Sequence, residues 1–333
     1  MSKLLTIVIP TYNTEKYLPK CIESLIIPDK MNQIEILIVI DGSPDNSFDL
    51  AKIYEKKFPN SIKVIEKVNG GHGSTINKGL ELASGKYFRV LDSDDWFNTK
   101  NFSKYLDKLS NANEDIVLTH ISKEYVYQNK SEVEQCDGIE FDKIYDANVF
   151  KFEVLHERFF GMARCTYKTE SLKNHELLLL EKIFFEDSFL HVFPLIFLKT
   201  FVFYDLVIYH YFIGRPGQSI SPDVALKHNE YWHRIIDQIG QFYNENSHLL
   251  NGEKEKFLIK ILKNYISTQY IVLNKFDFKK SKIQLKLWDN YVSSLTFLPL
   301  INCRRRRLYR LIPYVIYRNF FNLRGFFHHN KHY

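Results

Sequence analysis
The chain has 333 residues, 45% of them hydrophobic and 15% aromatic, with a formal net charge of +6. Such length and apolar content can bury one large core or two smaller ones and exclude a disordered chain. The four cysteines, Cys21, Cys136, Cys165 and Cys303, lie far apart without a C-x-x-C pair. That speaks against a zinc ribbon and a secreted disulfide framework, and it fits a reducing cytoplasm.

Residues 1–10 hold a short apolar stretch that stops at Pro10 with no cleavage site, so no signal peptide is expected. Residues 4–10 are a β-branched run and the first predicted strand. Residues 15–26 set Tyr17, Leu18, Cys21, Ile22 and Leu25 on one helical face. Residues 34–40 form a second apolar run, and 47–58 read as a helix with Asp45 or Ser47 as N-cap and Pro59 beyond its end. A third strand over 62–66, a helix over 74–83 closed by Gly85, and a fourth strand over 87–91 complete the series. This alternation predicts an α/β fold, a mainly parallel sheet with helices on both faces, whose ligands bind at the carboxyl ends of the strands. Polar or glycine-rich turns follow all four strands: Pro10-Thr11-Tyr12-Asn13, Asp41-Gly42-Ser43, Asn69-Gly70-Gly71-His72-Gly73 and Asp92-Ser93-Asp94-Asp95. Each alone is ordinary turn chemistry. Together at one sheet edge they indicate a site.

In the stretch GKYFRVLDSDDWFN, Asp92, Asp94 and Asp95 fall within four positions directly after an apolar strand. Carboxylates so crowded at the end of a buried strand need a counter-charge, and a metal ion is one candidate. The stretch GGHGSTINKG lacks the G-K-[ST] ending of a P-loop and the third glycine of G-x-G-x-x-G. Further on, Glu186-Asp187 stands in FFEDSFL, where Asp187 reads as the N-cap of an apolar helix or as a functional acid. Residues 209–221, YHYFIGRPGQSIS, carry Arg215 and Gln218 in a loop that is either a surface turn or a mobile lid. His72 and His210 point toward the same region, but two lone histidines are no metal signature. The longest apolar tract, 189–203, is broken by His191, Pro194 and Lys199 and falls short of the roughly 20 residues of a membrane span, so a soluble protein is expected.

The stretches TIVIPTYN, EILIVIDGSPDNS, NGGHGSTINKGLELASGKYFRVLDSDDW and FFEDSFL, in this order, closely resemble the family 2 glycosyltransferases of the GT-A fold. The resemblance reaches to about residue 212 and is densest over the first 100. It departs at Ile40, where the family often has an acid before Asp41. It implies that Thr11 and Asp41 line the pocket of a nucleotide base, with uracil the expected one, and that Pro10 and Tyr12 shape it. Gly71 and Ser93 would also contact the donor, Asp92 would face the ribose, and Asp94, with Asp92, would hold Mn2+ or Mg2+ across a diphosphate. Arg215 would bind that diphosphate. Asp187 would be the base of an inverting transfer, with Glu186 as its alternative or orienting neighbour. Asp95 reads as a donor contact or, preferably, as a cap for the segment starting near Asn98, and Trp96 as core or as a donor neighbour. The implied activity is sugar transfer from a nucleotide-sugar donor, such as a UDP-sugar, to a glycan or lipid-linked acceptor. The alternatives are a nucleotidyltransferase and a catalytically silent binding subunit.

Residues 1–222 are thus expected to form the catalytic domain and 223–333 a helical extension, since NEYWHRIIDQIGQFY and KFLIKILKNYISTQYIVL space apolar residues by three and four. From residue 301 on there are seven Arg and one Lys without an acid, which leaves the first 300 residues at −2. Interleaved with Leu308, Leu311, Ile312, Ile316, Phe320, Phe321 and Phe326, and divided at Pro313, this tail reads as a segment for an anionic membrane surface on the cytoplasmic side. A packed helix with solvated arginines is the plainer reading. Nucleic acid is not expected as a partner, because the near-neutral body offers no extended basic face.

Overall fold
The computed structural model describes residues 3–134, 136, 138–215, 218, 222–295 and 304–318. Strands β1 (Leu5–Thr11) and β2 (Ile34–Asp41) are buried at every position, as their nearly continuous apolar runs require of strands covered on both faces. β1 pairs in parallel with β2 and with β4 (Tyr87–Val90), and β2 in parallel with β3 (Ile62–Lys67). The sheet continues through β5 (Trp96–Phe97), β6 (Ile116–Tyr125), β9 (Cys165–Lys168) and β10 (Thr200–Phe212) in the order β3-β2-β1-β4-β9-β6-β10-β5. β7 (Lys130–Val133) pairs with β6 and β8 (Ile144–Asp146) with β10. β9 runs antiparallel to β4 and β6, β10 runs parallel to β6, and β5, β7 and β8 add antiparallel pairings to β10 and β6. This mainly parallel sheet with its layers of helices is the expected α/β class.

The helices of this half are α1 (Leu18–Glu23), α2 (Ser47–Lys57), α3 (His72–Leu82), α4 (Thr99–Asn111) and α5 (Thr169–Asn174). Side chains alternate across β1. Ile7 and Ile9 enter one core with Ile22 of α1, Ala51 of α2 and Phe102 of α4, whereas Val8 meets Ile76 and Leu80 of α3 in the other. Three local expectations need correction. α1 is shorter than predicted, because residues 14–17 close a turn, with Tyr17 N on Thr14 O at 2.8 Å, and Pro19 sits in the first helical turn. Asn46, rather than Asp45 or Ser47, holds the N-cap position of α2, although Asp45 still accepts from Ser47 N. α3 begins at His72, inside the glycine-rich turn.

After β10 follow α6 (Pro222–Lys227), α7 (Tyr231–Asn246), α8 (Gly252–Asn274), α9 (Phe278–Ser294) and α10 (Arg304–Leu311). Asn251 and Asp277 cap α8 and α9 by accepting from Lys254 N and Lys280 N. The core on the α3 side runs without interruption into Ile235 and Ile239 of α7, Phe257, Ile261 and Tyr265 of α8, and Trp288 of α9. Each such apolar side chain contributes about 1.5–3 kcal/mol on full burial. In the tail, Pro313 separates α10 from helical residues 314–318, as expected. Several tail arginines have structural partners. Arg306 and Arg310 pair with Asp289 of α9 at 3.1 and 2.9 Å, Arg305 bonds Ser267, and Arg318 bonds the Phe276 carbonyl. Phe320, Phe321 and Phe326 lie outside the described residues. No helix among the described residues is long and apolar enough to cross a membrane.

Candidate active site
The turns after β1, β2, β3 and β4 are laced together. Asn13 N donates to Ser43 Oγ at 2.8 Å, Glu15 N to Asp45 at 2.8 Å, and Thr14 Oγ1 to Ser93 Oγ at 2.9 Å. Asp41, 2% exposed, accepts from Gly70 N at 2.9 Å and Gly71 N at 2.8 Å and pairs with Lys67 at 2.9 Å. Its carboxylate thus fixes the glycine-rich turn against β2. Thr11 is buried with its hydroxyl on Ile9 O, Pro10 is buried beside it, and Tyr12 stands exposed.

The glycines of that turn have a steric purpose the sequence did not disclose. Gly71 has φ +84°, and a Cβ there would meet the Lys182 backbone at 3.0 Å; at Gly73 it would lie 2.3 Å from Leu180 O. Lys182 N also donates to Gly70 O at 2.8 Å. The turn is therefore the seat on which residues 180–186 rest.

The acidic turn divides into distinct roles. Asp95, 1% exposed, accepts from the Tyr209 hydroxyl at 2.6 Å and from Phe212 N at 2.8 Å, so it anchors β10. Asn98 caps α4 itself by accepting from Asn101 N, which corrects the reading of Asp95 as that cap. Burial and the neighbouring Asp94 and Asp92 push the Asp95 pKa well above its ordinary value. Asp94 is also raised, by burial and then by Asp92, against the opposing pull of Arg215 Nε at 2.6 Å from Oδ2. Asp92 meets His72 Nε2 at 2.9 Å. Among the described residues no three or more His, Cys, Asp or Glu gather as a metal cage. Asp92 and Asp94 nevertheless offer hard oxygen donors in a turn crowded with negative charge. That suits a divalent cation held by one or two carboxylates and substrate phosphates.

Facing this turn is a 3-10 segment, Glu186–His191, entered through Phe185 in the left-handed conformation at φ 70°. Asp187 lies inside the segment and caps no helix, which corrects the structural alternative. Glu186 is 2% exposed, and its Oε1 meets His72 Nδ1 at 2.6 Å. His72 therefore bridges Glu186 and Asp92. Burial opposes its charge, but the two carboxylates outweigh this and hold its pKa well above the ordinary value. The sequence marked His72 as pointing here; that it joins two acids 94 residues apart was not legible. The Asp187 carboxylate accepts no hydrogen bond from the described residues, and burial, with Glu186 next, pushes its pKa up to about 6.

The remaining candidates frame the site. Gln218 accepts from Gly214 N at 3.0 Å and holds the Arg215 loop; residues 216, 217 and 219–221 lie outside the described residues. Trp96 is half-buried, stacks on His210 at 5.6 Å with Lys20 over its ring, and joins neither apolar core. His210 in turn pairs with Glu124 at 2.7 Å.

Comparison with known proteins adds the lineage. Residues 6–171 match the model of glycosyl transferase family 2. The putative glycosyltransferase EpsH of Bacillus subtilis (strain 168) is 38% identical over 120 residues, 36% of this chain and 34% of that protein. The glycosyltransferase GlyA of Streptococcus pneumoniae serotype 4 is 34% identical over 157 residues, 46% of this chain and 22% of that protein, and the minor teichoic acid biosynthesis protein GgaB of B. subtilis is 39% identical over 103, 31% and 11%. The matches thus span about a third or less of these relatives' length. Among solved structures, S. aureus TarS 1-349 in complex with UDP-GlcNAc superposes with a TM-score of 0.68 at 19% identity, covering 97% of this chain and 89% of that one. This likeness establishes the GT-A fold, with the C-terminal helices included in the match. Through residues 6–171 the chain belongs to glycosyl transferase family 2.

Proposed function
We propose that the protein is a metal-dependent, inverting glycosyltransferase that moves a sugar from a UDP-sugar to a hydroxyl of a surface glycan or lipid-linked acceptor. The observation that carries this reading is the meeting of the Asp92-Ser93-Asp94 turn with the Glu186-Asp187 turn through His72 at the carboxyl ends of parallel strands. Family membership supports the reaction type. The UDP-GlcNAc complex of TarS supports the donor, and the teichoic acid role in the name of GgaB supports a cell-surface glycan.

The base would sit beside Pro10, Thr11, Tyr12 and Asp41, the ribose at Asp92, and the diphosphate near Ser93, Gly71 and Arg215. Asp94, with Asp92, would hold Mn2+ or Mg2+, which when bound offsets charge on the leaving nucleoside diphosphate. Arg215, released from Asp94, adds a charge-assisted contact to the same phosphates. The acceptor oxygen attacks the anomeric carbon opposite the diphosphate while Asp187 takes the hydroxyl proton. The old C–O bond breaks, and its electron pair leaves with the diphosphate. Glu186, held by His72, keeps the Asp187 turn in place.

A panel of nucleotide sugars, with and without Mn2+, tests this. Cation-dependent release of nucleoside diphosphate is expected with a UDP-sugar; pyrophosphate release from a nucleoside triphosphate would point to a nucleotidyltransferase. We place the enzyme in the cytoplasm, at the membrane's inner face. The tail exposes Leu311, Val315 and Ile316 on the side turned away from the helical core, a composition suited to shallow insertion among anionic headgroups. Full-length protein is expected to sediment with anionic vesicles at low salt, and the triple substitution Leu311→Ser, Val315→Ser, Ile316→Ser to stay in solution. Equal sedimentation of both, or binding indifferent to lipid charge, contradicts the membrane claim.

A further inference from the structure
The turn that presents Asp187 does not hold itself. Phe185 is a bulky residue in the left-handed region, a strained conformation that persists only where its surroundings impose it. Those surroundings come from the C-terminal helices. The Phe185 ring stacks on Trp232 of α7 at 5.5 Å and 18°, and Phe184 lies against His228 at 4.5 Å. From α8, the Tyr265 hydroxyl donates to the Ser188 carbonyl at 3.2 Å and also meets His191 Nδ1, so a single phenol ties both ends of the turn's last four residues. Trp232 and Tyr265 touch each other at 5.0 Å, closing a brace of two aromatic residues around the segment. Tyr265 is 4% exposed and His191 7%, so bulk solvent has little access to these bonds.

We infer that Trp232 and Tyr265 are positioning residues, through which α7 and α8 set the direction of the Asp187 carboxylate toward the acceptor hydroxyl. The helical region is then a working part of the transfer site. A misplacement of about 1 Å, which loss of such a brace permits, lowers rate by on the order of 10²-fold. This inference rests on Asp187 as the base.

The test is a double-mutant cycle of Tyr265→Phe with Asp187→Asn, with Trp232→Leu as a second brace variant, read as single-turnover sugar transfer, donor Kd and melting temperature. Tyr265→Phe keeps the ring and removes only the hydroxyl. It is expected to lower the transfer rate by about 10- to 100-fold, with donor Kd within about twofold and an altered acid limb of the pH–rate profile. In the Asp187→Asn background the same change is expected to have no further effect, because there is no base left to misplace. If Asp187→Asn loses transfer while Tyr265→Phe retains it, or if Tyr265→Phe costs equally in both backgrounds, the brace is overturned and the base stands. If Asp187→Asn retains transfer, the base reading falls and the brace with it.

Discussion

Asp187→Asn is expected to bind the nucleotide-sugar donor as tightly as the parent protein and to transfer sugar 10² to 10⁴ times more slowly, on the order expected for loss of a general base. Asparagine preserves the volume of the side chain, and the carboxylate has no hydrogen bond from a described residue to lose, so folding should be little affected. The pH dependence carries a second signature. Burial, with Glu186 next to it, pushes the Asp187 pKa up to about 6. A base must be ionised to accept a proton. The rate should therefore fall about tenfold per pH unit below that value and level off above it. In the variant this limb should vanish. Loss of turnover only in Glu186→Gln would move the base by one residue.

Asp94→Asn is expected to remove cation-dependent donor binding. Its carboxylate is largely buried at 11% side-chain exposure, raised in pKa by burial and by Asp92, and paired among the described residues with Arg215. A group so placed gains most from a divalent ion. Loss of an outer-shell partner alone costs roughly 10- to 100-fold in metal affinity, so loss of a direct ligand should cost at least that. Titration of Mn2+ against donor binding reads the effect. A folded variant with unchanged cation dependence and turnover contradicts the assignment.

The N-terminal strands and helices were legible because their physics is local. β1 and β2 are apolar at nearly every position since both faces are covered, and α2 and α3 carry helical stretches with local stop signals just beyond them. The return of β9 and β10 into the middle of the sheet was not legible, because pairing across such sequence distance leaves no periodic trace. The same contrast governs the site. Asp92, Asp94, Glu186 and Asp187 stand out as acids next to apolar runs. The structural task of Asp95 depends on Tyr209 and Phe212, more than a hundred residues away. Likewise Gly71 and Gly73 look like ordinary turn glycines until Lys182 and Leu180 are seen resting on them. Trp232 and Tyr265 read as ordinary core residues of amphipathic helices, and only their contacts with Phe185, Ser188 and His191 set them apart. The tail shows a further limit of composition: its acid-free run suggested free surface charge, yet Arg306 and Arg310 converge on Asp289.

The most direct measurement is a crystal structure of the protein with Mn2+ and a non-transferable UDP-sugar analogue. The account predicts the diphosphate and cation at Asp92 and Asp94, Arg215 moved from Asp94 onto the phosphates, and the anomeric carbon facing Asp187 on the side opposite the leaving group. A nucleotide bound away from these carboxylates, or an anomeric carbon turned from Asp187 with the diphosphate between them, would contradict it.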